Sequence, residues 1–145
     1  MERTSQHAFL FLIIAQGAHS IEEYNTGLYE VFAPARFVSS LFSNDLALGF
    51  AIINTALVTF GLWCWAVPVR SEWHSARGLA WFWALLEFAN GTVHSALALS
   101  RGAYFPGSAT APLLLVLSVT LAVLLTRQGR RLSMRRRVLP SMYII

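Results

Sequence analysis

The sequence predicts an all-α protein, an integral membrane four-helix bundle with a short interfacial segment between helices 1 and 2. Apolar residues make up 56% of the 145 and charged residues only 12%, too little polar surface for an ordinary water-soluble domain. Four apolar segments, at about 6–24, 46–67, 79–99 and 108–126, follow one another with short polar breaks, as membrane spans do. The 11 basic residues are all arginine and gather at segment ends and in a basic tail, 127–145. The whole chain, 1–145, reads as a single transmembrane domain.

Asn25-Thr26-Gly27 closes the first segment, with Gly27 suited to the left-handed position that follows a helix. Leu28 to Ser43 is not apolar enough to span. It mixes Leu28, Phe32, Phe37 and Phe42 with Glu30, Arg36 and serines, and Pro34 is expected to break it. This stretch reads as an interfacial piece lying on the membrane, or as a lid over the outer mouth of the bundle. Ser43-Asn44-Asp45 offers caps for the second segment, which Pro68 is expected to stop. A polar loop, Val69 to Gly78, leads to the third. Ser100 to Gly107 is rich in turn formers, and Pro112 suits the first turn of the fourth segment. That segment is short, so Tyr104 to Ala111 is expected to dip toward the membrane and complete the span.

Four spans place both termini on one side. That side carries nine arginines and the other only Arg36 and Arg101, so the termini are expected in the cytoplasm, in a bacterial plasma membrane. Trp63, Trp65, Trp73, Trp81 and Trp83 cluster about the second loop, as an aromatic belt at the inner interface would. The tail suits anionic lipid headgroups. The net charge of +4 is not a nucleic-acid signal, because the arginines sit at helix ends and in the tail. The expected partners are membrane lipids and a lipophilic small-molecule substrate, with no nucleic acid; a homo-oligomer is left open. Cys64 is the single cysteine, which excludes a disulfide within the chain and a cysteine metal cluster. A cleavable leader is not expected, since the first segment carries a costly polar cluster.

That cluster is His19-Ser20-Ile21-Glu22-Glu23. Helix geometry sets His19 beside Glu22 and Glu23, three and four residues on. On the third segment Glu87, Asn90 and His94 follow i, i+3, i+7 and share one face; Gln16, His19 and Glu23 repeat that spacing on the first. Stripes of this kind do not face lipid. They are expected to face one another across the bundle, His19 level with His94, with Asn54 of the second segment beside them and Glu87 deepest. The fourth segment offers Ser118 and Thr120, which can bond to their own helix, and reads as a wall.

Two histidines and one carboxylate, His19, His94 and Glu22 or Glu23, make a ligand set for a divalent metal, zinc or iron, with positions left for water or substrate. The second glutamate would serve as a base, and Glu87 as a further base or ligand. Gln16 and Asn54 would line the substrate pocket, and Asn90 would assist the chemistry. The expectation is therefore a metal-dependent membrane enzyme, hydrolytic or oxidative, working near the extracytoplasmic leaflet. One alternative is a metal-free isomerase or cyclase of a sterol- or terpene-like lipid, using Glu and His as acid and base. Another is a non-catalytic lipid- or metal-binding protein.

With Tyr104-Phe105-Pro106-Gly107 added, the pattern resembles the HXXEE-domain family of small multi-spanning membrane proteins. His19-Ser20-Ile21-Glu22-Glu23, the further His94 and the YXPG turn occur in order, over roughly Ala8 to Leu125. The resemblance implies that His19, Glu22, Glu23, His94 and Tyr104 act as a unit. From its place on the His94 side, the Tyr104 hydroxyl is read as orienting a ligand or a substrate, with a rigid turn carrying an interfacial aromatic as the alternative. The family's function is unassigned, so it supplies no reaction.

The topology has a direct check. In a Cys64→Ser background, Arg36→Cys and Arg101→Cys should react with an impermeant maleimide added outside intact cells. Labelling from the cytoplasmic side alone would overturn the orientation.

Overall fold

A computed structural model describes residues 1–138, and every described element is helical. The order is α1 (Arg3–Asn25), α2 (Leu28–Val31), α3 (Ala33–Ser40), α4 (Leu46–Cys64) with a π-helical turn (Trp65–Val69), α5 (Ala76–Arg101) and α6 (Ala111–Val138). Of the expected basic tail, 139–145 lies outside the described residues. The part before it is not a tail but a continuation of α6, since nothing from Arg127 to Val138 breaks a helix.

The elements follow from local chemistry. Asp45 caps α4, its Oδ1 accepting from the amides of Ala47 at 2.9 Å and Leu48 at 3.2 Å. Pro68 was expected to stop this helix, yet the chain continues past it as a π turn. Proline lacks the N–H that an α ladder needs, and the wider ladder is closed instead by Arg70 N to Trp65 O at 3.2 Å and Trp73 N to Pro68 O at 2.9 Å. Pro34 likewise does not break its segment. It occupies the first turn of α3, where a missing N–H is harmless, and the break falls at the extended Phe32.

α1 packs against α4 and α6, and α5 packs along α6, whereas α4 and α5 barely meet. Phe9, Leu12, Ile13, Trp83, Leu114 and Leu121 form the main core. Trp83 is fully buried there, so it is a packing residue rather than a member of the expected interfacial belt. Trp63 and Trp73 do lie exposed together, edge to face at 6.3 Å. α2 and α3 fold over the α1–α4 end, with Leu28, Phe50 and Phe105 in a second small core.

The exterior is strongly apolar. Phe11, Ile14, Leu85, Phe88, Val116 and Val119 are exposed, while Gln16, His19, Glu23, Glu87 and His94 are buried. Among the described residues two helices, rather than the four expected, are long and apolar enough to cross a membrane: Leu46–Val69 and Ala111–Arg131. α1 and α5 are as long, with 23 and 26 residues, but their buried polar stripes lower their mean hydropathy.

α5 meets the start of α6 at Gly91, where a Cβ would stand 2.8 Å from the Ala111 carbonyl oxygen and 2.9 Å from Leu115 Cγ. Gly91→Ala should therefore destabilise the fold by about 1–3 kcal/mol through overpacking. Gly78→Ala, which meets nothing within 4 Å, should be neutral or stabilising. Thermal unfolding in detergent compares them, and an unchanged Tm for Gly91→Ala would refute this close approach.

Candidate metal centre

One turn near the end of α1 and one face of α5 meet under the 104–110 turn. His19 and His94 stand edge to face with ring centroids 4.8 Å apart. Their Nε2 atoms lie 3.2 Å and 3.1 Å from the same atom, Glu23 Oε1. All three side chains are buried.

The other nitrogens fix where the protons sit. His94 Nδ1 is 2.6 Å from the Pro106 carbonyl oxygen, which only accepts, so this nitrogen carries the proton. His19 Nδ1 is 2.7 Å from Thr110 Oγ1. That hydroxyl donates its single proton to Glu22 Oε2 at 2.5 Å, so its oxygen accepts from His19. In the neutral rings both Nε2 atoms then present lone pairs, and both aim them at a carboxylate oxygen. Three acceptors converge with no proton among them. A cation between them, or a second proton on the rings, is what such a group requires. The ligand atoms lie within 4.8 Å of one another. A tetrahedral site with bonds of ~2.0–2.1 Å has edges of ~3.3 Å, close to the two histidine–carboxylate separations.

Glu22 was expected to share the role of ligand or base, and the structure turns it elsewhere. Its Oε1 accepts from Tyr104 Oη at 2.6 Å and Ala109 N at 3.0 Å, and its Oε2 from Thr110 N at 2.9 Å and Thr110 Oγ1. Four donors occupy the carboxylate and leave it nothing to offer a metal or a substrate proton. The amides of Ala109 and Thr110 lead into α6, so Glu22 also places a negative charge at the positive end of that helix. Tyr104, read either as orienting a ligand or as part of a rigid turn, ties the turn to Glu22. Partial burial and the adjacent Glu22 carboxylate both hold its hydroxyl above the usual tyrosine range, which keeps it a donor.

The turn fits closely over the rings. Gly107 has φ +86°, and a Cβ there would stand 2.6 Å from His94 Nδ1 and 2.8 Å from His19 Cε1. Phe105 packs on His94 at 5.6 Å between centroids, and Phe32, from the α2–α3 junction, at 6.4 Å. The segment before α6 therefore tucks into the bundle and covers the cluster.

Beneath it runs a polar chain. Gln16 donates to Ser20 Oγ at 3.2 Å, and Ser20 donates to Asn54 Oδ1 at 2.9 Å. Asn90 donates to Gln16 Oε1 at 3.3 Å and to Glu87 Oε2 at 3.4 Å. Glu87 is fully buried, and its Oε1 has no partner. Gln16, Asn54, Glu87 and Asn90, with Glu23 and His94, line a cleft of about 410 Å³ between α4 and α5. Ser118 and Thr120 bond back to Leu115 O at 3.0 Å and Val116 O at 2.7 Å, and stay outside the site.

Sequence reasoning missed Thr110, Ser20 and the Pro106 carbonyl. Pro106 had a signal in the YXPG turn. Thr110 had one only in its place just before Ala111-Pro112, and Ser20 had none.

Residues 10–122 match the profile of a family described as proteins of unknown function with an HXXEE motif. The chain belongs to the HXXEE family. No curated protein and no solved structure matches it. In this HXXEE protein the two motif glutamates have separate tasks: Glu22 holds the turn and Glu23 meets the histidines.

Thr110→Val removes both the acceptor for His19 and a donor to Glu22, and should cost about 1–3 kcal/mol of stability. It should also shift the His19 imidazole ¹⁵N resonances, while Thr110→Ser keeps them. Resonances unchanged in the valine variant would refute this role for Thr110.

Proposed function

We propose that this HXXEE protein is a four-span membrane enzyme whose His19, Glu23 and His94 hold one zinc or iron ion and act on a lipophilic substrate. The observation that carries the metal is the convergence of two imidazole lone pairs on one buried carboxylate oxygen. Both Nδ1 protons are engaged by oxygen acceptors, the usual outer support of metal-bound histidine. Three protein ligands leave positions open, and the cleft reaches the cluster at His94 and Glu23. Glu87, buried in that cleft, is the remaining candidate base. The donor set takes zinc, which suits hydrolysis, or iron, which suits oxidation, and the metal found decides between them.

The membrane reading rests on the inverted exterior. α1 and α5 join the two apolar helices as spans because their polar residues face inward and their outer faces carry Phe11, Ile14, Phe82 and Leu85. At 23 residues α1 is ~34 Å long, enough for a hydrocarbon core of ~30 Å. The arginine distribution keeps the termini on the cytoplasmic side and the centre toward the opposite leaflet.

A second reading has its own support. Doubly protonated imidazoles would make the same contacts with Glu23, which suits a metal-free acid–base isomerase.

Elemental analysis of detergent-purified protein separates them. About one zinc or iron per chain is expected, with affinity lowered roughly 100-fold or more in a His19→Ala, His94→Ala variant. Glu22→Gln should weaken binding about 10–100-fold through the turn. A folded wild-type protein that binds neither metal would overturn the metal reading in favour of the acid–base one.

A further inference from the structure

We infer that the gap between α4 and α5 is a side-entry cleft for a lipid bearing a free hydroxyl, which Glu87 and Asn90 receive beside the His19–Glu23–His94 cluster. The inference rests on the membrane placement proposed above and does not require that a metal be bound.

The chemistry of the floor names the head group. Glu87 is fully buried, its Oε1 has no partner, and its Oε2 receives only the long 3.4 Å bond from Asn90. A buried carboxyl oxygen without a partner is costly and calls for a ligand. A carboxylate needs a donor there and a protonated carboxyl needs an acceptor. A hydroxyl is both, so it suits either state, whereas an ammonium suits only one. The same cleft reaches His94 and Glu23, so a hydroxyl-bearing carbon on Glu87 lies along the way to the cluster.

The walls name the remainder of the ligand and its route. Leu57 on α4 faces Leu86 and Val93 on α5 across the gap. Val93 is itself exposed on the outer surface. The outer end is closed by Phe32 and the 104–110 turn, and the inner end by the core around Ile13 and Trp83. Ligand therefore enters from the side, between two helices that barely touch, out of the hydrocarbon phase.

The test uses the full-length protein in phosphatidylcholine nanodiscs and two probes: a hexadecanol analogue with a mid-chain diazirine and a terminal alkyne, and the same chain without the hydroxyl. After irradiation, peptides from α4 and α5 should carry the alcohol roughly tenfold more than the hydrocarbon, which neither donates nor accepts. Glu87→Leu removes the unpartnered oxygen and should fold at least as well as wild type, yet lose that preference. Leu86→Trp should block the mouth and lower labelling by the alcohol to the hydrocarbon's level while leaving metal content unchanged. Equal labelling by the two probes, or undiminished preference in Glu87→Leu, overturns the inference. Selective labelling of a chain that binds no metal supports the cleft and removes only the metal reading; metal binding without selective labelling removes only the cleft.

Discussion

The carboxylate of Glu22 holds the rest of the site in place. It stands on α1 and gathers four donors from one short stretch, the Tyr104 hydroxyl, two successive amides and the Thr110 hydroxyl. Those bonds fix the 104–110 turn against the end of α1 and seat the start of α6. The same turn then supplies the oxygen atoms that hold both histidines, Thr110 Oγ1 for His19 and Pro106 O for His94. Releasing Glu22 would free a loop and, with it, both ring orientations. The glutamate that holds the turn is therefore what orients the two rings that meet its neighbour. Glu23, one residue later, points some 100° around the helix, which is why adjacent glutamates have unrelated partners.

Burying this many polar groups is expensive, and the interior shows how most of the cost is met. Gln16, Ser20, Asn54 and Asn90 satisfy one another in a line. Ser39, Trp83 and Ser95, away from this line, also have side-chain atoms without a partner, and at the site itself two places remain short. At Glu23 three acceptor atoms meet and need positive charge. At Glu87 one oxygen has nothing at all. A purely structural network would be expected to close on itself, because a half-satisfied network is less stable than an apolar core of the same shape. Both deficits lie on the same cleft, which is where a ligand would supply what the protein withholds.

Much of this was legible in the residues. The i, i+3, i+7 spacings of Gln16, His19, Glu23 and of Glu87, Asn90, His94 place two polar faces inward without any coordinates, and the arrangement of those faces matches. Spacing cannot separate Glu22 from Glu23, since three and four residues on from a histidine are both neighbours; the partners of Glu22 come from a loop 82 to 88 positions away. Thr110 was hidden for the same reason. Trp83 read as interfacial because tryptophans cluster near it, yet its helical face turns it into the core. Pro34 and Pro68 were read as breaks, whereas a first turn and a π turn each accommodate a missing N–H. Four comparably apolar spans were expected, but hydropathy is an average over all faces. The buried polar stripes of α1 and α5 are the residues that lower it.

The cleft itself follows from how the polar chain distributes its bonds. Asn54 accepts from Ser20 and donates to Phe50 O at 3.1 Å, so its commitments lie with α1 and its own helix. α5 is held by α6 through the close approach at Gly91, and its polar side chains reach α1 rather than α4. At this level each of the two helices flanking the gap is thus anchored on its far side, and they meet only deeper, where Trp83 packs on Phe60 at 6.1 Å. Side chains of moderate size, Leu57, Leu86 and Val93, line the space without filling it. An interior built only for stability would close such a gap with a larger residue, as Trp83 does one turn deeper. That the space stays open beside an unsatisfied carboxyl ties this departure from close packing to the polar line rather than to the apolar core.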